Sequence, residues 1–118
     1  MKIYTWKELL ENEIAVLCPE DWMREQMYEY AINVVGDEVW SYYQDKLHHF
    51  GENTAFYIEP SSHANVRNGV EVMYGDYHEI NDYFDCELVI PYEQCECYWM
   101  YNNNDVDLDS FENILLEV

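Results

Sequence analysis

The four cysteines have the side chains best suited to metal binding or nucleophilic chemistry in this 118-residue chain, and they are Cys18, Cys86, Cys95 and Cys97. Cys95 and Cys97 are separated by one residue, which places both on one face of a strand. A zinc site would combine this pair with Cys86 and with His78 or His63, but the C-x-C spacing differs from that of zinc knuckles, and no second tight pair completes four ligands. We therefore predict reduced, buried thiols without a metal and without a disulfide framework.

A short acidic run near the end of the chain resembles part of a calcium-binding loop. Asp105, Asp107 and Asp109 match the first three ligand positions of an EF-hand. Ser110 stands where the loop requires a glycine for its sharp turn, and Leu116 stands at the last ligand position, where a bidentate glutamate is required. A solvated loop followed by a helix is the better interpretation, and we expect no calcium.

No group of residues forms a recognisable catalytic motif. The four glycines are scattered and form no phosphate-binding loop. His48 and His49 fall at the C-terminus of a predicted helix, where a positive charge is favourable, and this accounts for them without catalysis. A nucleophilic pair of Cys86 with His78 has no local support. The sequence therefore predicts a protein that is not an enzyme and needs no cofactor.

The charge balance is the most unusual property of the sequence. It contains 25 acidic residues against 5 basic ones, for a formal net charge of −20. DNA, RNA and anionic membrane surfaces are bound through basic residues, so direct contact with any of them is disfavoured. The chain has no long apolar run, and its start has no apolar segment typical of a signal peptide. We therefore expect a soluble protein in the cytoplasm of a bacterial host cell.

The few cations are also unevenly distributed along the chain. All five precede residue 68, at Lys2, Lys7, Arg24, Lys46 and Arg67. An ordinary solvated surface mixes both signs and thereby limits its self-repulsion. Residues 68–118 include no cation that would reduce the repulsion among their acids, which indicates that something other than folding stability favours this composition.

Helical patterns occupy the first part of the chain. Thr5 and Glu8 form a capping-box pair that predicts a short helix over 6–12. The apolar run at 14–18 either ends that helix or lies extended. Apolar residues at helical spacing predict two longer helices that end at glycines, namely 19–35 ended by Gly36 and 37–50 ended by Gly51.

From residue 54 onward the apolar pattern changes to the period of two that is typical of strands. It predicts four strands, at 54–59, 70–74, 86–90 and 95–101. The last two are expected to form a hairpin, and a capped helix is expected over 109–117. These patterns predict one α+β domain over 1–118, with N-terminal helices followed by an antiparallel sheet of about four strands and a short C-terminal helix.

Two sets of carboxylates are candidates for an acidic face, one on a predicted helix and one in the part of the chain without cations. On the helix over 19–35, Asp21, Glu25 and Glu29 recur at every fourth residue and lie opposite most of the apolar stripe. In the cation-free part the candidates are Glu71, Asp76, Glu79, Asp82, Asp85, Glu87, Glu93 and Glu96. Same-face residues of a strand lie roughly 6.6–6.8 Å apart, close to the roughly 6.8 Å advance of alternate phosphates along DNA. Such a face could present anionic groups where a nucleic-acid-binding protein expects phosphates.

Aromatic residues single out one stretch as the contact region. Tyr77 and Tyr83 lie among the acids of 76–85. Tyrosines left at a surface are favoured at protein interfaces, whereas a face that only confers solubility does not need them. We predict that this stretch is an acidic loop that contacts a partner. The alternative is that its aromatic side chains fold back to form a small cluster of their own.

The size, charge and aromatic content of the chain resemble those of acidic nucleic-acid mimics from phages and mobile elements, such as anti-CRISPR, antirestriction and uracil-DNA glycosylase inhibitor proteins. The resemblance extends over the whole chain but includes no motif, so no functional residue is transferred by position. It implies an inhibitor that occupies the basic nucleic-acid-binding surface of a nuclease, a CRISPR effector or a similar protein. Two alternatives remain, an immunity protein against a nuclease toxin and a calcium- or metal-binding regulator.

Overall fold

The computed structural model of the chain describes residues 2–36, 39–41, 46–61, 67–83 and 86–102, and for 40–41 and 81–83 it describes the backbone alone. Its α-helices are α1 (Trp6–Glu11), α2 (Asp21–Tyr30), α3 (Tyr77–Tyr83) and α4 (Glu96–Asn102). Its strands are β1 (Ile14–Leu17), β2 (Val39–Ser41), β3 (Thr54–Pro60), β4 (Val70–Asp76) and β5 (Leu88–Pro91). None of the helices in these ranges is long and apolar enough to cross a lipid bilayer.

The five strands form one mixed sheet in the order β2-β4-β3-β1-β5. β3 is antiparallel to both of its neighbours, with Phe56 opposite Val16 on one side and Tyr74 on the other. The two outer pairs, β2 with β4 and β1 with β5, are parallel. The predicted α+β class is confirmed, with an antiparallel centre of three strands and a parallel strand at each edge.

The two faces of the sheet have cores of different size. The larger core lies between one face and the helices α1, α2 and α4, and it includes Leu9, Met27, Phe56, Val72 and Cys97. The smaller core lies on the opposite face and contains Ala15, Ala55, Tyr57 and Met73 together with Ile80 of α3. Alternate residues of β3 therefore face different cores, as the period of two requires.

The first two predicted helices are confirmed, and the start of the first and the end of the second follow the sequence signals, whereas α2 begins at Asp21, two residues later than predicted. The Glu8 amide donates to Thr5 Oγ1 at 3.2 Å and the Thr5 amide donates to Glu8 Oε1 at 3.4 Å, which completes the capping box of α1. A π-helical turn, Ala31–Val35, extends α2 as far as Gly36. Gly36 has a φ of +91°, and its amide donates to the Ala31 carbonyl at 2.8 Å, so the glycine ends the helix in the left-handed conformation. The apolar run after α1 lies extended as β1.

The predicted helix over 37–50 is wrong where the structure describes that segment. Val39–Ser41 form β2, paired in parallel with Val72–Tyr74 of β4, and residues 47–50 form a turn. Val39 and Leu47 still pack against the larger core. Both residues are partly buried, as the apolar pattern predicts, but Val39–Ser41 pair with a sheet edge instead of making helical hydrogen bonds.

The predicted strand over 95–101 and its hairpin are also wrong. Residues 96–102 form α4 instead, and a short 3-10 helix, Tyr92–Gln94, precedes it. β5 begins at Leu88, two residues later than predicted, and pairs with β1 instead of with the following segment. The helix is favoured because it buries Cys97 against α2, and Trp99 Nε1 donates to the Glu93 carbonyl at 3.1 Å. The predicted helix over 109–117 lies outside the described residues.

Candidate protein-binding surface

The structure places the predicted contact acids on several separate surfaces. Glu71 lies on the sheet face that α3 partly covers, whereas Glu93 and Glu96 belong to the segment that packs beside α2. Glu87 is exposed just before the edge strand β5, and its amide donates to the Glu13 carbonyl at 2.9 Å. The acids of the second half of the chain therefore do not form the single sheet face that the sequence suggested.

Glu71 is opposite a second acidic residue, Glu59, in the pairing of β3 with β4. Both side chains are partly buried, and burial together with the Glu71 charge raises the pKa of Glu59. In the described part of the chain neither carboxylate has an ion-pair partner. A like-charged cross-strand pair lowers stability, so this pair is a local cost of the acidic composition.

The stretch predicted to be an acidic loop is mainly the helix α3. Asp76 accepts a hydrogen bond from the His78 amide at 2.9 Å, next to the start of that helix. The Tyr77 ring lies 3.8 Å from the His78 ring and packs against the smaller core, and Glu79 is half-buried. The prediction of a loop is wrong, and Tyr77 follows the alternative in which the aromatic residues fold back. The side chains of Asp82 and Tyr83, and all of Asp85, lie outside the described residues.

Glu96, one of the predicted contact acids, is a structural residue, since only 8% of it is exposed. It accepts hydrogen bonds from the Tyr30 hydroxyl and, at 3.4 Å, from the Trp6 amide. Burial raises the pKa of Glu96, which shows that desolvation of its charge outweighs these two donors. One carboxyl group thus connects the start of α1, the C-terminal end of α2 and the start of α4.

The predicted carboxylate row of α2 is confirmed as a solvent-facing feature. The side chains of Asp21 and Glu25 are 73% and 65% exposed, and Glu29 is exposed as well. The opposite side of the helix is buried along Met23 and Met27. Carboxylates four residues apart on a helix repel one another, so this row also costs a few tenths of a kcal/mol, roughly 0.2–0.5 for each pair.

Three large apolar side chains lie on the same exposed side of the helical segment as the row. Trp22 and Tyr28 are each 38% exposed, and Ile32, in the π-helical turn, is 44% exposed. Trp22 and Ile32 are not among the contact residues that the sequence predicts. Their apolar side chains interrupt the polar side of an amphipathic helix, and that pattern was the available sequence signal.

Two acids of the row, Glu25 and Glu29, and the two exposed aromatic residues border a shallow groove with a volume of about 430 Å³. Its described lining residues are Trp22, Glu25, Gln26, Tyr28, Glu29 and Leu47. The Trp22 ring packs edge-on against the buried Tyr92 at a centroid distance of 5.8 Å, and Trp22 Nε1 donates to Glu20 Oε2 at 2.8 Å. These contacts fix one aromatic wall of the groove.

The buried residue Arg24 holds α2 in place beneath this surface. Only 3% of Arg24 is exposed. Its Nη1 donates to the carbonyls of Cys18 at 2.9 Å and Gly51 at 2.7 Å, and its Nε donates to His48 Nδ1 at 2.9 Å. Asp21 pairs with the same guanidinium group. Asp21 is therefore partly neutralised, whereas Glu29 has no ion-pair partner among the described residues.

None of the cysteines is among the described lining residues of the groove. Cys18, Cys95 and Cys97 are free thiols and are buried, as predicted, whereas the free thiol Cys86 is half-buried. Burial raises the pKa of each buried thiol, so these thiols are protonated and unreactive. Within the described ranges no three His, Cys, Asp or Glu side chains are grouped so that they could hold a metal ion. His63 and the aspartates at 105, 107 and 109 lie outside those ranges.

No family model, curated protein or solved structure matches this chain. The geometry and charge of the described surface therefore carry the functional proposal.

The shortage of cation partners predicts how stability depends on salt. In the described part of the chain, the carboxylates with a Lys, Arg or His partner are Glu8, Asp21 and Glu25. Raising sodium chloride from about 10 mM to about 150 mM shortens the Debye length from about 30 Å to about 8 Å and screens the remaining repulsion. We expect the melting temperature to rise by several degrees in a calorimetric scan. A melting temperature that falls would show that attractive ion pairs outweigh the repulsion.

Proposed function

We propose that the protein is a non-catalytic inhibitor that binds the basic nucleic-acid-binding surface of a nuclease, a CRISPR effector or another DNA- or RNA-binding protein. The observation that carries this proposal is the exposed side of α2, where Glu25 and Glu29 are combined with exposed aromatic residues on a chain of net charge −20. The contact acids are therefore assigned to α2, not to a face of the sheet.

The spacing of the row supports phosphate mimicry. Residues four apart on an α-helix are separated by a rise of about 6 Å, and alternate phosphates of one DNA strand advance by about 6.8 Å. A basic groove that accepts a phosphate backbone can therefore meet successive carboxylates of this helix. The exposed side chains of Trp22 and Tyr28 add apolar contact area, which phosphates alone do not offer.

The uncompensated negative charge supports rapid association with a basic surface. Complementary potentials steer diffusional encounter and raise association rates at low ionic strength. Inhibition then needs no chemistry, because the bound protein excludes nucleic acid by its volume and charge. We expect stoichiometric inhibition that leaves the target covalently unchanged.

The test begins with a target captured from a host lysate and identified by mass spectrometry, followed by titration of its nucleic-acid binding. The variant Glu25→Lys/Glu29→Lys is expected to weaken target binding by at least about tenfold, roughly 1.4 kcal/mol. The matched control, Glu11→Lys/Glu52→Lys, changes the same charge at two other exposed positions. It is expected to lose less, mainly through slower association in the altered long-range field.

The region 76–85 is tested in the same assay with Glu79→Lys/Asp82→Lys. Equal losses from all three double variants would mean that net charge alone determines binding, and the assignment to α2 would be wrong. A target that binds this protein and nucleic acid together would contradict occupation of the nucleic-acid site and would favour the immunity-protein alternative. Inhibition at substoichiometric amounts, or a covalent change in the target, would overturn the non-catalytic mechanism.

A further inference from the structure

We infer that the groove on α2 binds the guanidinium group of an arginine side chain from the partner protein, in preference to a lysine ammonium group. This inference rests on the proposed function, because it names the partner chemistry that the same surface recognises. Its basis is the lining of the groove, where aromatic side chains and carboxylates are combined without a cation among the described lining residues.

The aromatic walls of the groove favour a planar cation. The rings of Trp22 and Tyr28 are partly exposed on the groove. A guanidinium group stacks on such rings and is more weakly hydrated than an ammonium group, so it loses less solvation on entering a partly apolar groove. A lysine ammonium is compact and strongly hydrated, and it gains less from the same walls.

The carboxylates of the groove supply the charge complement. Glu25 and Glu29 are one helical turn apart and border the same groove. The five N–H donors of arginine allow paired hydrogen bonds to carboxylates, whereas a lysine acts as a point charge. Glu25 Oε1 lies 3.5 Å from His48 Nε2, and its 65% side-chain exposure leaves it accessible to a partner.

The groove is held in shape before a partner binds. Trp22 is fixed by Tyr92 and by its hydrogen bond to Glu20, and the underlying helix is fixed by the buried Arg24. A preorganised site loses less conformational entropy on binding than a flexible one. This rigidity favours recognition of a particular side chain and not merely of positive charge.

The test uses two probes of equal length and charge, hexa-arginine and hexa-lysine peptides, in isothermal titration calorimetry at physiological salt. The wild-type protein is expected to bind hexa-arginine at least about fivefold more tightly than hexa-lysine. Glu25→Gln/Glu29→Gln should weaken hexa-arginine binding by at least about tenfold, whereas the matched control Glu11→Gln/Glu52→Gln should weaken it by less than about threefold.

A third variant tests the aromatic walls separately from charge. Tyr28→Leu keeps the net charge and changes a partly exposed residue, so we expect its melting temperature to stay close to that of the wild type. It should reduce the preference for arginine over lysine while lysine binding changes little. Trp22→Phe is a second variant, which keeps a ring but replaces the indole with a smaller aromatic surface. It should also reduce the preference for arginine over lysine.

The outcomes separate this inference from the proposed function. Equal affinity of the wild type for both peptides, or equal losses in the two glutamine variants, would overturn the arginine site and leave a general acidic binding surface. An unchanged preference in both aromatic variants would also overturn it. Absence of measurable binding to either basic peptide would contradict the proposed function itself.

Discussion

Replacing Arg24 with methionine is expected to lower the free energy of unfolding by about 3 kcal/mol. The change leaves the buried Cys18 carbonyl without its Arg24 donor, which costs about 1–3 kcal/mol. It also removes one donor from the Gly51 carbonyl, which keeps its hydrogen bond from Thr54 Oγ1 at 2.7 Å. It also removes the hydrogen bond to His48. Asp21 contributes less to the loss because its exposed side chain is rehydrated.

The matched control for this substitution is Arg67→Met. Arg67 is exposed, and its Nη2 donates to the Asn33 carbonyl at 3.3 Å, so the same change of charge is made without uncovering a buried carbonyl. Urea denaturation of both variants measures the difference. Equal losses would mean that the global charge, and not the contacts of Arg24, determines the stability that this residue contributes.

The second large effect is expected at Glu96, where alanine and glutamine should give opposite results. Glu96→Ala removes the acceptor for the buried Tyr30 hydroxyl and for the Trp6 amide, and we expect a loss of about 2–4 kcal/mol. Glu96→Gln keeps an acceptor oxygen and removes the charge. Because desolvation raises the pKa of Glu96, the charged form is disfavoured in the folded protein, and the glutamine variant should be at least as stable as the wild type at neutral pH.

The sign of the pH dependence follows from the same shift. A carboxyl group whose pKa is raised by folding contributes stability that is fully present below its unfolded-state pKa and is lost as the pH rises through its folded-state pKa. The stability of Glu96→Gln relative to the wild type should therefore increase from acidic to neutral pH. Glu59, whose pKa is also raised, is present in both proteins and cancels in this comparison. A difference that is constant or decreases with pH would contradict the assignment.

These two buried residues bear on the proposed binding surface because both support α2. Arg24 holds its first half against the segment at 48–51, and Glu96 accepts a hydrogen bond from the Tyr30 hydroxyl at its C-terminal end. The exposed acids of the helix repel one another, so the helix depends on its buried contacts for stability. We therefore infer that the internal polar contacts of Arg24 and Glu96 keep the acidic, aromatic surface of α2 ordered.

Capping residues, a helix-ending glycine and the alternation of apolar residues were enough to predict α1, α2, β3 and β4 from the sequence. The capping pair of Thr5 and Glu8 begins α1, and Gly36 ends the extension of α2 because it adopts a positive φ. The strict alternation of β3 and β4 placed these strands within two residues of their observed ends. The carboxylate row on α2 was predictable for the same reason, since a helix of 3.6 residues per turn fixes which side chains share a side.

The tertiary structure alone decided the segments whose patterns fit two structures. Val39 and Leu47 can pack against the larger core with either a helical or an extended backbone, and an available edge of β4 selected a strand for Val39–Ser41. The alternating pattern at 95–101 likewise became α4, because packing beside α2 buries Cys97. The burial of Glu96 and Arg24 depends on partners up to 90 residues away in the chain. Such long-range pairing has no local signal, since it arises only when the packed elements bring the donors and acceptors together.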